Sequence, residues 1–274
     1  MKKEPFEYKD GILHLKAWEN NTYLTAGFST REGGVSQSPY TSLNLGLHVK
    51  DDKQAVHENR RILALGLHFP LHTWICSEQV HDNKVAKVSA TDKGKGVFSY
   101  EDGIRGTDGI YTDESNVLLT SCYADCVPLY FYAPSHHLIG LAHAGWKGTV
   151  KGIALEMIQT WVHDEHVPLS DIHVAIGPAI SSCCYVVDER VMDAVRQVLQ
   201  GPIPFTTVSE GQYALDLQEV NRLLCVQAGI QEDHIVVSSY CTSCEEQLFF
   251  SHRRDKGTSG RMLSFIGFKE GSSN

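Results

Sequence analysis

The sequence predicts an α+β fold, a single domain over 1–274 in which sheet packs on sheet and helices lie outside. Three observations carry this expectation. Strand-like segments outnumber helical ones about two to one. The two kinds do not alternate as they would in a doubly wound parallel sheet. No internal repeat, low-complexity tract or Pro/Ser linker cuts the chain, whose 274 residues fit one large domain with an extended core.

From the N-terminus, the strand-like segments are Ile12–Trp18, Tyr23–Ser29, Thr73–Val80, Val117–Cys122, Leu129–Tyr132 and Leu138–His143. Ile172–Ile176, Ile235–Tyr240 and Met262–Phe268 follow. Most are short, rich in β-branched or aromatic residues, and bounded by Gly, Asp, Asn or Pro. Helical spacing is clearest from Lys147 to Asp164, where Val150, Ile153, Ala154, Met157, Ile158 and Trp161 share one face. Gln54–Leu65, Glu189–Leu199 and Leu217–Ala228 are weaker helices, the last with a stop signal at Gly229.

Apolar residues make up 42% of the chain and charged ones 21%, which excludes global disorder. The formal charge of −9 repels phosphate backbones, and His252-Arg253-Arg254 is too short to serve as a basic patch, so no nucleic-acid partner is expected. Met1–Asp10 is charged and lacks the apolar segment of a secretory signal. No stretch approaches the roughly 18–20 apolar residues of a membrane helix, so no membrane partner is expected. Eight cysteines in such a chain point to reduced thiols and a cytoplasmic address.

Several common chemistries are missing from the pattern. There is no G-x-G-x-x-G after a strand, no Walker A loop and no G-x-S-x-G elbow. His163-Asp164-Glu165-His166 lacks the H-E-x-x-H spacing and reads as a solvated helix end.

Three segments hold residue types that converge on chemistry. His81 closes the expected strand through Glu78-Gln79-Val80, Cys126 lies in Ala124-Asp125-Cys126-Val127-Pro128, and His143 begins His143-Ala144-Gly145-Trp146-Lys147-Gly148. Strand ends let polar groups meet in a cleft while the sheet keeps them rigid. Two imidazoles and a thiolate suit zinc, and three ligands leave a fourth position for water or substrate. Against this stands the plainer reading of each as a packed core residue, and the spacing is no local metal signature. Cys241-Thr242-Ser243-Cys244 is a C-x-x-C without a second one. The chain offers only vicinal Cys183-Cys184 and the wider Cys122/Cys126 pair, so inert thiols are favoured over redox or metal use.

At these residues the chain resembles the laccase-domain proteins, first named multicopper polyphenol oxidoreductases and then assigned as purine nucleoside phosphorylases. The resemblance rests on Gln79-Val80-His81, Thr107-Asp108-Gly109, Ala124–Pro128, His143–Thr149, Gly177–Ile180 and Phe249–Arg254 with Gly260-Arg261. Ser29-Thr30-Arg31-x-Gly33-Gly34 and Ser42–Gly46 fit too, so it runs from about residue 22 onward and points to a bacillus-type member. Asp82, where the family often has Gly, and Tyr185-Val186-Val187-Asp188 depart from it.

The resemblance implies a mixed β-sandwich flanked by helices, with zinc, or alternatively copper, held by His81, Cys126 and His143. It implies phosphorolysis of adenosine, inosine and methylthioadenosine, with adenosine deamination as a side activity. The expected partners are thus purine nucleosides and phosphate, with a homodimer as the candidate assembly. Deamination needs water activated at the metal, with Asp125 as candidate acid/base because the H-x-E and P-C-x-x-C signature is missing. Phosphorolysis needs a phosphate clamp, for which Arg31 is the candidate, with Asn44 as a substrate hydrogen-bonder. Two rivals are a copper-dependent polyphenol oxidase and a cysteine or metal hydrolase editing peptidoglycan precursors, with Cys126 as nucleophile. The first needs several coppers with their own ligand sets, and only one three-ligand site can be assembled here.

Overall fold

The structure is a computed structural model describing residues 3–271, so the outermost residues of the 1–274 span and of Met1–Asp10 lie outside the described residues. In chain order the elements begin β1 (Phe6–Lys9), β2 (Ile12–Leu15), β3 (Leu24–Ser29), α1 (Lys53–Leu67), β4 (Trp74–Cys76), β5 (Val85–Lys87) and β6 (Gly109–Thr112). They continue with β7 (Val117–Tyr123), β8 (Val127–Ala133), β9 (Leu138–Ala144), α2 (Trp146–Val150), α3 (Ile153–His163), β10 (His173–Ile176) and β11 (Val186–Asp188). The last are α4 (Glu189–Val198), β12 (Phe205–Ser209), β13 (Gln212–Leu215), α5 (Leu217–Gln227), β14 (Ile235–Val237) and β15 (Met262–Phe268).

Strands with two apolar faces dictate the layering. In β8, Leu129 and Phe131 face one buried cluster, and Tyr130 and Tyr132 face another. Such runs belong to sheets covered on both sides. One six-stranded sheet has the order β1-β2-β3-β15-β7-β4, and the other β14-β10-β8-β9-β6-β5. Both mix parallel and antiparallel pairs: β4 runs parallel to β7, and β8 antiparallel to β9. Leu119, Tyr123 and Ile266 of the first meet Tyr130, Ile139 and Leu141 of the second. The Tyr130 hydroxyl is satisfied by donating to the Gly27 carbonyl at 2.7 Å. Outside, Leu63 and Leu67 of α1 cover Leu118 and Phe265, while Met157 and Trp161 of α3 cover Phe131. Each such buried side chain contributes about 1.5–3 kcal/mol. The α+β sandwich expected from the sequence is therefore present, with a small third sheet, β11-β13-β12, beside it.

Four boundaries differ most from the sequence reading. The single helix over Lys147–Asp164 is two, because Gly152 takes φ 84, a left-handed conformation that ends α2 and starts α3. The strand expected to reach Val80 stops at Cys76. Ile12–Trp18 gives up its last turn to a 3₁₀ helix over Lys16–Trp18, and the strand from Ile235 stops at Val237. Strands β1, β5, β6 and β11–β13 lie outside the strand-like segments of the sequence. They are short, and every residue of β12 is exposed, so no buried face marks it in the sequence.

Candidate metal centre

His81 does not end a strand. After β4 the chain enters a loop in which Gln79 and His81 adopt φ 61 and 63, a conformation costing such residues on the order of 1–3 kcal/mol each. Side chains from elsewhere hold it. The Gln79 amide donates to the Cys122 carbonyl at 2.8 Å and accepts from the Cys122 amide at 2.7 Å, imitating a strand partner. The fully buried carboxylate of Asp108, just before β6, accepts from the backbone amides of Val80, His81 and Asp82 at 2.9–3.0 Å.

Asp108 also reaches His143. Its Oδ1 lies 2.9 Å from His143 Nδ1, which leaves Nε2 facing the other candidate ligands. One buried carboxylate therefore sets the backbone of one histidine and the ring of the other. His143 sits on β9, while Cys126 follows the turn by which the chain crosses from β7 in one sheet to β8 in the other. The ligand atoms of His81, Cys126 and His143 all lie within 4.8 Å of one another. The two rings are near-perpendicular, with centroids 4.8 Å apart. A Cβ at Gly145 would stand 3.0 Å from Cys126 Sγ and 3.2 Å from the His81 ring, so the trio can converge only beside a residue without a side chain.

Burial alone would raise the Cys126 thiol. The charge and hydrogen bond of His143, helped by His81, overcome that and bring it down to about 6. His143 moves the opposite way, to about 9, because Cys126 and Asp108 outweigh a desolvation that favours the neutral ring. Desolvation also opposes ionisation of Asp108, yet His143 and the loop amides hold its carboxyl below the usual range. A thiolate beside two oriented imidazoles, buttressed by a carboxylate, is a donor set that fits zinc.

A cavity of about 800 Å³ opens over the trio, lined also by His48, Glu78, Tyr100, Asp125, Trp146, Lys147, Tyr185, Arg190, Arg253 and Arg261. Four of these carry fixed positive charge, against the three carboxylates of Glu78, Asp125 and Asp188, in a chain of net −9. The Arg190 guanidinium lies 5.4 Å from the Trp146 ring centre, and Lys147 Nζ lies 5.9 Å from it. Arg261 donates through Nη1 to the carbonyls of Ser259 and Gly260. Burial, with the charges of Arg261 and Arg60, pushes His48 down to about 4, so its ring is neutral at pH 7.

Asp125, with φ 86, lines the cavity, but its carboxylate is occupied. Oδ1 accepts from the Thr242 hydroxyl at 2.8 Å, and Oδ2 accepts from the Ser251 hydroxyl at 3.0 Å and the Arg253 amide at 2.7 Å. Such a group fastens one loop to another. Arg31 and Asn44 are not brought to the cavity. Arg31 gives its donors to the carbonyls of Thr41 and Glu246 and lies 4.5 Å over the Phe250 ring. Asn44 is fully buried, donating to Asp51 and accepting from the amides of Gly46 and Arg261. Asn44 thus serves the site only through Arg261. Arg254 is likewise spent on the carbonyls of Thr242, Ser243 and Phe249. Of the residues that sequence reasoning left without a role, Asp108 and Arg261 matter most. Both stand in motifs that carried the resemblance.

A family model described as multi-copper polyphenol oxidoreductase laccase matches residues 25–269. The chain belongs to this laccase family. Within it, the chain is 56% identical over 247 residues to "Purine nucleoside phosphorylase YlmD" of Geobacillus stearothermophilus, covering 89% of this chain and 90% of that one. It is 50% identical over 263 residues to the protein of the same name in Bacillus subtilis, covering 94% and 95%. The crystal structure of YlmD from Geobacillus stearothermophilus superposes with TM-score 0.96 at 53% identity, over 98% of this chain and 100% of that one. The crystal structure of NMB0706 of Neisseria meningitidis superposes with TM-score 0.76 at 28% identity, over 97% of this chain and 100% of that one. Among the described residues no helix is long and apolar enough to cross a membrane.

Proposed function

We propose that the chain is a purine nucleoside phosphorylase with a zinc centre at His81, Cys126 and His143. It acts on adenosine, inosine and methylthioadenosine, with adenosine deamination as a side activity. The observation that carries this reading is the convergence of that trio beneath a cavity whose wall includes three arginines and a lysine. The names of the similar proteins support the same activity.

In phosphorolysis a phosphate oxygen replaces the base on the anomeric carbon. The carbon–N9 bond breaks as the carbon–oxygen bond forms, and the purine leaves with the proton that hydrogen phosphate gives up, giving ribose 1-phosphate or methylthioribose 1-phosphate. Zinc bound by the trio supplies Lewis acidity. Arg261 takes over the clamp role first expected of Arg31. Its Nη1 is anchored on two carbonyls, and among the described residues Nε and Nη2 make no hydrogen bond to protein, so they are available for an anion. Trp146, flanked by Arg190 and Lys147, offers an aromatic face for the purine. Asp125 acts as a positioning residue, tying the buried hydroxyls of Thr242 and Ser251 to the backbone of Arg253 in the cavity wall.

Incubating the protein with inosine should give ribose 1-phosphate and hypoxanthine only when phosphate is present. Arg261→Ala should chiefly raise the phosphate KM, by roughly ten- to a hundred-fold, the worth of one charge-assisted hydrogen bond. Base release independent of phosphate would refute the phosphorylase reading, and an unchanged phosphate KM would move the clamp to Arg253 or Arg190.

A second reading is favoured by one observation, the lowered thiol of Cys126 beside the raised imidazole of His143. That pairing also suits a cysteine hydrolase. Activity that survives a chelator but not alkylation would select it.

A further inference from the structure

The C-x-x-C at Cys241–Cys244 has no second C-x-x-C in the sequence, but the fold supplies a partner pair. The turn closed by the Cys184 and Tyr185 amides on the Ser181 carbonyl presents Cys183 and Cys184. The turn closed by the Cys244 and Glu245 amides on the Cys241 carbonyl presents Cys241 and Cys244. The two chains meet where Ala179 bridges Cys241 and the Thr242 amide donates to the Ala179 carbonyl at 3.0 Å. Cys183 Sγ lies 3.7 Å from Cys184 Sγ, 3.6 Å from Cys241 Sγ and 3.5 Å from Cys244 Sγ. Cys184 and Cys244 are 3.4 Å apart, and all four sulfurs fall within 4.8 Å of one another.

These separations are informative. A tetrahedron of sulfurs around zinc at about 2.3 Å has edges of about 3.8 Å. A disulfide would need about 2.05 Å, and all eight cysteines are free. Packing does not account for the cluster either. Cys76 and Cys225 are buried as ordinary core thiols, whereas Cys183 and Cys244 are exposed, where a hydrophobic role gains nothing. The Ser181 amide points at Cys241 Sγ from 3.4 Å, a hydrogen bond that favours the thiolate form a metal requires.

We propose that Cys183, Cys184, Cys241 and Cys244 form a second metal site, a closed tetrathiolate that binds zinc and releases the thiol protons to solvent. Four protein ligands leave no open position, so the site is structural. Its position says what it braces. One turn continues into Ile180 and Tyr185 in the cavity wall, and the other into Thr242, the hydrogen-bond donor to Asp125. Zinc here clips together two loops that otherwise meet through few backbone bonds, and keeps that wall in place.

The test is metal analysis of the intact protein purified without chelator, alongside two variants. The account expects about two zinc per chain in the wild type and loss of one in Cys183→Ser/Cys244→Ser. One should remain in His81→Ala/Cys126→Ala/His143→Ala. The two sites therefore fail separately: zinc missing only from the histidine centre would leave this inference intact. Should the cysteine variant not fold, per-residue alkylation of the wild type decides. Cys183, Cys184, Cys241 and Cys244 should resist alkylation until zinc is stripped, then react together. Equal alkylation before and after stripping, disulfides among the four, or iron in place of zinc would overturn the proposal.

Discussion

The two clusters of potential ligands are built on opposite principles. His81, Cys126 and His143 come from a strained loop, an inter-sheet crossing and a strand. They are held by a buried carboxylate and face an 800 Å³ cavity. The four cysteines come from two turns, Cys183 and Cys244 exposed and Cys241 buried, and their sulfurs gather on one another. The first arrangement spends folding stability, in two left-handed residues and a buried charge, to leave room for a fourth ligand. The second fills every position and has no comparable strain. Openness has to be supported by the surrounding structure, while closure supports itself once the metal is bound.

Asp108 is where this contrast can be broken most severely. Asp108→Asn keeps the shape but exchanges one acceptor oxygen for a donor facing backbone amides. Metal affinity of the histidine centre should drop about 10- to 100-fold, the usual cost of losing the partner of a ligating histidine. Chelator competition would read this, and the cysteine cluster should hold its metal unchanged. An equal loss at both sites would mean that Asp108 supports the whole fold and not one centre.

A smaller effect sharpens the same comparison through pH. The Cys126 thiol is depressed to about 6. A depressed acid is ionised above its folded value and protonated below it, so the stabilisation from this thiolate is complete above the ordinary thiol range and lost as pH falls through about 6. In metal-stripped protein, Cys126 alkylation should be nearly flat from pH 8 to pH 7 and fall about tenfold by pH 5, tracking the thiolate. Mass mapping of the alkylated residue checks it. A profile rising through pH 8–9 instead would show that His143 does not stabilise the thiolate.

What was legible in the sequence follows from how local its causes are. The apolar runs Leu129–Tyr132 and Leu138–His143 announce strands by themselves, and the structure extends them to Val127–Ala133 and Leu138–Ala144. The His81 loop does not announce itself, because the group that holds it, Asp108, lies 27 residues downstream. The same distance effect hid the cysteine cluster, whose second pair is vicinal and 58 residues from Cys241. Arg31 and Asn44 misled because a glycine-rich loop bearing polar residues looks like a ligand loop. Here its polar groups are consumed in holding the loop itself and Arg261. Only the ligand residue types were readable; their geometry came from contacts across the two sheets.

The most direct test of the central claim is to measure zinc and phosphate-dependent cleavage of inosine together in Cys126→Ala. The account predicts a folded protein that has lost one zinc and its phosphorolysis while the tetrathiolate zinc stays. Zinc content and ribose 1-phosphate formation both equal to the wild type would contradict it.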